Sequence, residues 1–477
     1  MASLAEQEYV PLREPDVQVD VVVIGAGPAG MAAATEASHQ GLSVVLLDEQ
    51  HAVGGQIYRQ ITQADANRQA ILGPDYQKGS QIAQAFLSSG AQYWPNTAVW
   101  QLTRERRVHA LRDGHVLSLQ ATAAVVVATG AMERPFPIPG WTLPGVMTAG
   151  AAQILMKSAG VVPQQAPVLA GCGPLLYLLA WQYLRAGVPI KAILDTAEAP
   201  RPGHARGHVG QMLAGWRDLA KGLGLLAAIR RYKVPHYRGV SGLAIQGETH
   251  AEQITFTADG QRHSLPASLI LLHQGVVPNT QITWSLRAAH QWSEQQLCWH
   301  PQTDAWGQLD VPGIYVAGDG AAISGAQAAA LQGRITGLGV ASATGKLDAA
   351  QRDTLAAPLI AALKKARQIR PFIDALYRPR DEHRIPADDV TVCRCEEVSA
   401  GRLREYVELG CTGPNQTKSF SRCGMGPCQG RQCGLTVTEL IAGARNMPPA
   451  EVGYYRIRPP IKPITLAQLA EEAPHHG

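Results

Sequence analysis

The sequence predicts an α/β chain built from two dinucleotide-binding (Rossmann-like) units and a small α-helical module at the C-terminus. Three observations carry this expectation. A β-branched run, a glycine turn and an Ala-rich stretch follow one another between Val19 and Ser38; the same order returns between Val168 and Ala186; and six of the eight cysteines stand between Cys393 and Cys433. With 477 residues and 46% hydrophobic content, the chain exceeds the roughly 250–300 residues at which a single core stops growing.

Composition narrows the function. A net charge of +4 on 42 basic and 38 acidic residues, with no long basic run, leaves no electrostatic footprint for nucleic acid. Met1 to Asp20 is polar and lacks an apolar h-region, so no secretory signal is expected. The cytoplasm is the expected compartment, with attachment at the inner membrane only through an acceptor. Cytoplasmic thiols stay reduced, which makes clustered cysteines metal ligands or redox groups before disulfides. The apolar stretch Ala166–Trp181 is shorter than the roughly 20 residues that span a bilayer and is interrupted by Gly171-Cys-Gly-Pro174. A buried strand, turn and helix explain it, and no membrane span is expected.

In the first unit, Val19–Ile24 leads into Gly25-Ala-Gly27-Pro28-Ala29-Gly30 and then the stretch Met31–Ser38. Gly25 permits the tight turn, Gly27 lets the backbone approach a pyrophosphate, and Gly30 lets helix and strand close up. The phosphate charge would rest on free amides at the helix N-terminus. A second strand, Ser43–Leu47, ends at Asp48 and Glu49, where a carboxylate can take a ribose diol. Further on come Gly54-Gly55-Gln56-Ile-Tyr58-Arg59, then Val125–Val127 into Ala128-Thr129-Gly130, and finally Gly313-Ile-Tyr-Val-Ala-Gly318-Asp319 before Gly325-Ala-Gln327-Ala328.

These strings resemble the two-dinucleotide-fold flavoproteins that include glutathione and thioredoxin reductases. The resemblance implies FAD on the first unit, contacted by Gly25, Gly27, Pro28, Ala29, Gly30, Asp48, Glu49, Gly55, Gln56, Arg59, Ala128, Thr129, Gly130, Gly318, Asp319, Gln327 and Ala328. Asp319 would bind the ribityl chain, a role compatible with capping a helix. The helix opening near Gly325–Ala328 would aim its positive end at the flavin pyrimidine.

The second unit runs from Val168 through Gly171-Cys172-Gly173-Pro174-Leu-Leu176 to Ile190–Leu194 and Asp195. In the resembling family this inserted domain holds NAD(P)H. Leu176 replaces the third glycine, which should push helix from strand, so the occupant stays open between NAD(P), another adenine nucleotide and none. Neither unit contains Cys-x-x-Cys, which argues against disulfide reduction. Nor is there a nucleophile paired with a base, or a HExxH; Arg59 and Arg134 could meet a flavin, a partner or solvent.

A connecting stretch follows. Leu355, Leu359 and Leu363 should pack a helix on the first unit, and Arg378–His383 reads as linker. Ser399 is expected to cap a helix carrying Leu403, Tyr406 and Val407, and a second helix should begin near Cys433 with Leu435, Val437, Leu440 and Ile441. Four thiolates on two glycine-rich loops suit a two-iron, two-sulfide cluster. A zinc knuckle held by four cysteines is the competing reading, although knuckles favour Cys-x-x-Cys. Cys393 and Cys395 are expected ligands, while Cys423, Cys428 and Cys433 compete for two further places. The module is similar to the ferredoxin domain related to bacterioferritin-associated ferredoxin, in the variant that also ends the anaerobic glycerol-3-phosphate dehydrogenase subunit. That similarity implies Cys393, Cys395, Cys428 and Cys433, leaving Cys423 and Cys411 extra.

From Val19 to Ala470 the chain resembles the larger flavoprotein subunits of bacterial heteromeric, dye-linked dehydrogenases: opine oxidases, D-hydroxyproline and proline dehydrogenases, and hydrogen cyanide synthase. The strings Gly54–Arg59, Ala128–Pro135, Pro139–Gly145 and Arg458–Pro463 carry the resemblance. It implies a smaller FAD-dependent catalytic partner, similar to amino-acid oxidases, that oxidises a C–N bond. This chain would receive the electrons and relay them to an acceptor, and there is room for FMN held between the subunits. The expected layout is 17–150 with 296–347 for FAD, 151–295 inserted, 348–389 connecting, 390–450 for the cluster and 451–477 as tail. A self-sufficient NAD(P)H-dependent FAD/2Fe-2S oxidoreductase is the alternative, and a zinc-knuckle scaffold a third.

Overall fold

Strands that end together set the architecture. In the computed structural model, which describes residues 16–198, 210–211 and 215–471, the first sheet runs in the order Gln92–Trp94, Val44–Leu47, Val17–Ile24, His115–Val127, Arg107–Arg112, Thr97–Leu102. The short strand Ile314–Val316 joins beside His115–Val127. Residues 1–15, where the reading of a missing leader falls, lie outside the described residues. Parallel pairing sets Ile24 opposite both Leu47 and Val127. The turns that follow, at Gly25, Asp48 and Ala128, therefore meet at one sheet edge, where dinucleotide folds bind their ligands. Val21–Val23 are fully buried, as expected of a strand covered on both faces.

A second sheet runs in the order His236–Arg238, Ala192–Asp195, Val168–Cys172, Ile270–Gln274, Val146–Thr148, all parallel. Because Val146–Thr148 already belongs to it, the inserted unit begins before the expected boundary at 151. An antiparallel three-stranded sheet, Ser241–Gln246, Gln253–Ala258 and Gln261–Pro266, shares its core through Leu243, Ile254 and Phe256. Leu176 is fully buried with Leu169 and Leu271, so the side chain expected to force the helix away is housed in the core beneath it.

The connecting helix Ala349–Arg367 starts at an Asp348–Gln351 capping box and buries Ala356 and Leu359 against Ile335 and Leu338; Leu355 stays 45% exposed. The stretch expected to be linker is packed instead. His383 is buried against Phe136, ring centroids 5.1 Å apart, and Arg384 pairs with the buried Glu439. Ser399 caps Ala400–Glu408 by accepting from the Arg402 amide at 3.3 Å, and Gly434–Arg445 buries Val437, Leu440 and Ile441. Those residues are contiguous with Val22, Ile24 and Leu119 of the first sheet. The C-terminal module thus borrows a core rather than building one, which is how so small a unit can fold. The expected tail is part of it: Tyr455 and Ile457 are buried, and the Ile461 amide donates to Trp100 O at 2.9 Å. Among the described residues, no helix is long and apolar enough to cross a membrane.

Candidate functional site

At the edge of the first sheet the backbone closes into a cradle. A Cβ on Gly30 would stand 1.8 Å from Gly25 O, and one on Gly55 2.7 Å from the Gly27 Cα. Gly55 also has φ +59°. Only glycine meets both demands, so the Gly54–Arg59 loop lies directly against the phosphate turn. The helix Pro28–His39 opens at Gly27 without a side-chain cap, which leaves its first amides free for an anion. Asp48 accepts from the amides of Ala26 at 2.6 Å and Gln50 at 2.8 Å; burial nevertheless pushes its pKa up. Asp48 therefore fixes the turn, and the exposed Glu49 beside it pairs with Lys462 at 2.8 Å.

The distant strings come together at this edge. Thr129 Oγ1 donates to Asn279 O at 3.2 Å, and the Asn279 amide to Gly130 O at 2.9 Å, tying the return from the second domain to the first. Asp319 accepts from Ser324 and Gly325 amides through Oδ1 alone, so its other oxygen is available. Ala328 is buried and Gln327 exposed in the first turn of Ala326–Ala343.

Arg59 donates through Nη2 to Gln56 Oε1 at 2.9 Å, yet its buried Nε and Nη1 have no partner. Beside it, Lys157 Nζ donates to Gln56 O at 3.2 Å and is 4% exposed. Burial, helped by the Arg59 charge, lowers the Lys157 pKa to about 7. Two buried cations with unspent donors fit an anionic cofactor such as FAD. Sequence reading missed Lys157. The available signal was its place on the buried stripe Ala149, Ala152, Gln153, Met156, Lys157 of one helix, where a lysine is out of character.

The second cradle is filled from within. A Cβ on Gly173 would lie 3.3 Å from His273 Nε2, and His273 Nδ1 is held by Glu133 at 2.7 Å. Asp195, at the position that would take a ribose diol, accepts a short hydrogen bond from Tyr177 and one from the Ala197 amide at 2.9 Å.

In the C-terminal module the sulfurs of Cys393, Cys423 and Cys433 all lie within 4.8 Å of one another and are buried. Cys395 is exposed and hydrogen-bonded to the half-buried Cys428. Hydrogen bonds from the Cys423 and Cys433 thiols, with amides of Gly424 and Glu396, hold Cys393 well below the usual thiol range. The same contacts push Cys423 up to about 12 and Cys433 up as well. This donor set fits a cationic metal centre, which would ionise all of them. The structure brings Cys423, outside the expected ligand set, into the buried triad; Cys411 is buried elsewhere and Cys428 sits at the rim with Cys395.

Fold and cradle define the class: a flavoprotein oxidoreductase with two dinucleotide folds. The profile of the pyridine nucleotide-disulphide oxidoreductase family matches residues 19–174 and implies FAD in the first cradle; the sarcosine oxidase A3 domain matches residues 392–473. The chain is 47% identical over 468 residues to the A subunit of opine oxidase from Agrobacterium tumefaciens (strain Ach5), covering 96% of this chain and 92% of that one. It therefore belongs to the family of opine oxidase A subunits. Hydrogen cyanide synthase subunit HcnB of Pseudomonas aeruginosa is 29% identical over 467 residues, 94% of this chain and 97% of that protein. The crystal structure of L-proline dehydrogenase from P. horikoshii superposes with a TM-score of 0.69 at 20% identity, over 95% of this chain and 79% of that one, and shares the fold.

Proposed function

We propose that this chain is the electron-transfer subunit of a heteromeric amino- or imino-acid dehydrogenase of the opine/hydroxyproline type. It takes electrons from a smaller FAD-dependent partner that oxidises the C–N bond and passes them, through its own FAD and a two-iron, two-sulfide cluster, to an acceptor. FMN between the subunits would be a further stepping stone. The complex works in the cytoplasm and touches the inner membrane only through that acceptor. Cys393, Cys395, Cys428 and Cys433 hold the cluster, with Cys423 as a fifth thiol beside it. The observation that carries this reading is a gathering of thiols, Cys393, Cys423 and Cys433 buried together and Cys395 hydrogen-bonded to Cys428, in a module whose core is continuous with the flavin-fold sheet. The flavin and the iron centre would thereby be held in one rigid body, as a relay requires.

The test is anaerobic. Purified protein should carry FAD, iron and acid-labile sulfide, show a paramagnetic iron signal after dithionite, and co-purify with a second flavoprotein. Equimolar zinc without iron would sink the proposal in favour of the scaffold. The alternative NAD(P)H reductase needs a free ribose-binding carboxylate in the second fold, and Asp195 is engaged by Tyr177. Flavin bleaching by stoichiometric NADH or NADPH would reinstate it.

A further inference from the structure

One helix crosses from the inserted unit to the flavin cradle. Ala149–Ala159 follows Val146–Thr148, an edge strand of the second sheet, yet its Lys157 ends against a loop of the first unit, Nζ donating to Gln56 O at 3.2 Å. Gln56 follows Gly55, the glycine packed on the phosphate turn, so the ammonium lies one residue along from the place built for a pyrophosphate. The helix is fastened there. Arg68 of the first unit donates to Lys157 O and Ser158 O, both at 3.4 Å. Gln153 donates to Gln182 at 2.8 Å, and Gln182 in turn to Leu72 O at 2.9 Å.

A buried ammonium without a counter-ion is unfavourable. The charged groups around Lys157 do not supply one: Arg59 is itself a cation, Arg68 pairs with Asp65 at 3.9 Å, and Glu133, at the opposite end of the helix, is taken by His273 at 2.7 Å and by the Gly150 amide at 2.9 Å. Arg59 is drawn by Asp48 and Glu49 but keeps its Nε and Nη1 without partners. Among the described residues, no carboxylate forms an ion pair with either cation. Folding thus sets two uncompensated positive charges, one from each unit, beside the same turn.

We propose that Lys157, reaching from the inserted unit, and Arg59 together clamp the anionic part of FAD, and that the chain takes up a proton as the cofactor docks. The proposal rests on FAD occupying the first cradle. The sign follows from burial. Without a counter-ion Lys157 titrates near pH 7, and a phosphate beside it favours the ammonium and raises that value. Between the two values the cofactor-bound chain holds the extra proton, so uptake appears above pH 7 and fades below it.

Calorimetric titration of the FAD-free full chain with FAD, in two buffers of different ionisation enthalpy, counts the protons. The wild type should take up about one proton per FAD at about pH 8 and almost none at about pH 6. Lys157→Met should take up none at either pH and bind FAD at least about tenfold more weakly at the lower one. A lysine with a merely structural role would weaken binding without moving the proton count. Methionine removes the buried charge at similar length, so the fold should hold. If the unfolding midpoint of that variant drops, Arg59→Gln serves: losing the neighbouring cation raises the Lys157 pKa in the free chain and lowers the uptake at the higher pH. No uptake by the wild type at the higher pH, an equal count in Lys157→Met, or an undiminished affinity in that variant overturns the clamp and leaves the flavin reading intact. Failure of the wild type to bind FAD removes both.

Discussion

The hydroxyl of Tyr455 donates to the sulfur of Cys423 across 3.2 Å. That bond marks Cys423 as a thiol with a partner already in place, set among the buried sulfurs but not one of the four proposed ligands. Cys423→Ser should then keep iron and acid-labile sulfide near the wild-type ratio per chain, whereas Cys428→Ser should lose both. Elemental analysis decides, and the reverse pattern would hand the ligand role to Cys423.

The Lys157–Arg59 pair makes stability depend on pH. In the FAD-free chain Lys157 loses its proton near pH 7 when folded but near 10.5 when unfolded. Between those values the unfolded state binds the extra proton, so stability rises with pH, by up to about 1.4 kcal/mol per unit. Below pH 7 the full penalty of the buried charge applies. Melting temperatures of the wild type relative to Lys157→Met, taken from pH 7 to 9, should shift in favour of the wild type as pH rises; parallel curves would refute the assignment.

Gly30→Ala tests the cradle. The new methyl meets Gly25 O, and the helix must move off the strand, at a cost of about 1–3 kcal/mol. Denaturant unfolding should show that loss, and the purified variant should have a lower flavin-to-protein absorbance ratio.

Arg384 and Glu439 join the former linker stretch to the last long helix, with side chains 8% and 3% exposed. Arg384→Met strands a buried carboxylate and should cost about 3–5 kcal/mol, while Arg384→Met/Glu439→Leu should recover most of it. Urea midpoints of the single and double variants measure the difference.

Much of this was legible in advance because it is local. A tight glycine turn between a β-branched run and an Ala-rich helix is written in consecutive residues, and so is the Ser399 cap. Leu176 was harder: the missing glycine was visible, but whether the helix would retreat or the core make room depended on Leu169 and Leu271, which arrive from other strands. Arg378–His383 looked like linker because its charges are conspicuous in the sequence, while Phe136, against which His383 is buried, is far away in the chain. Lys157 carried a faint signal in its helical stripe, but its nearness to Arg59 belongs to the fold.

The sequence alone determined the two nucleotide folds, the flavin cradle and the concentration of thiols at the C-terminus, since each rests on residue types at short fixed spacings. Only the tertiary structure decided which sulfur turns inward, that Tyr177 occupies Asp195, and that Lys157 reaches Gln56 in the other unit. Those facts depend on side chains brought together from distant segments, where packing and desolvation choose the partners and spacing along the chain does not.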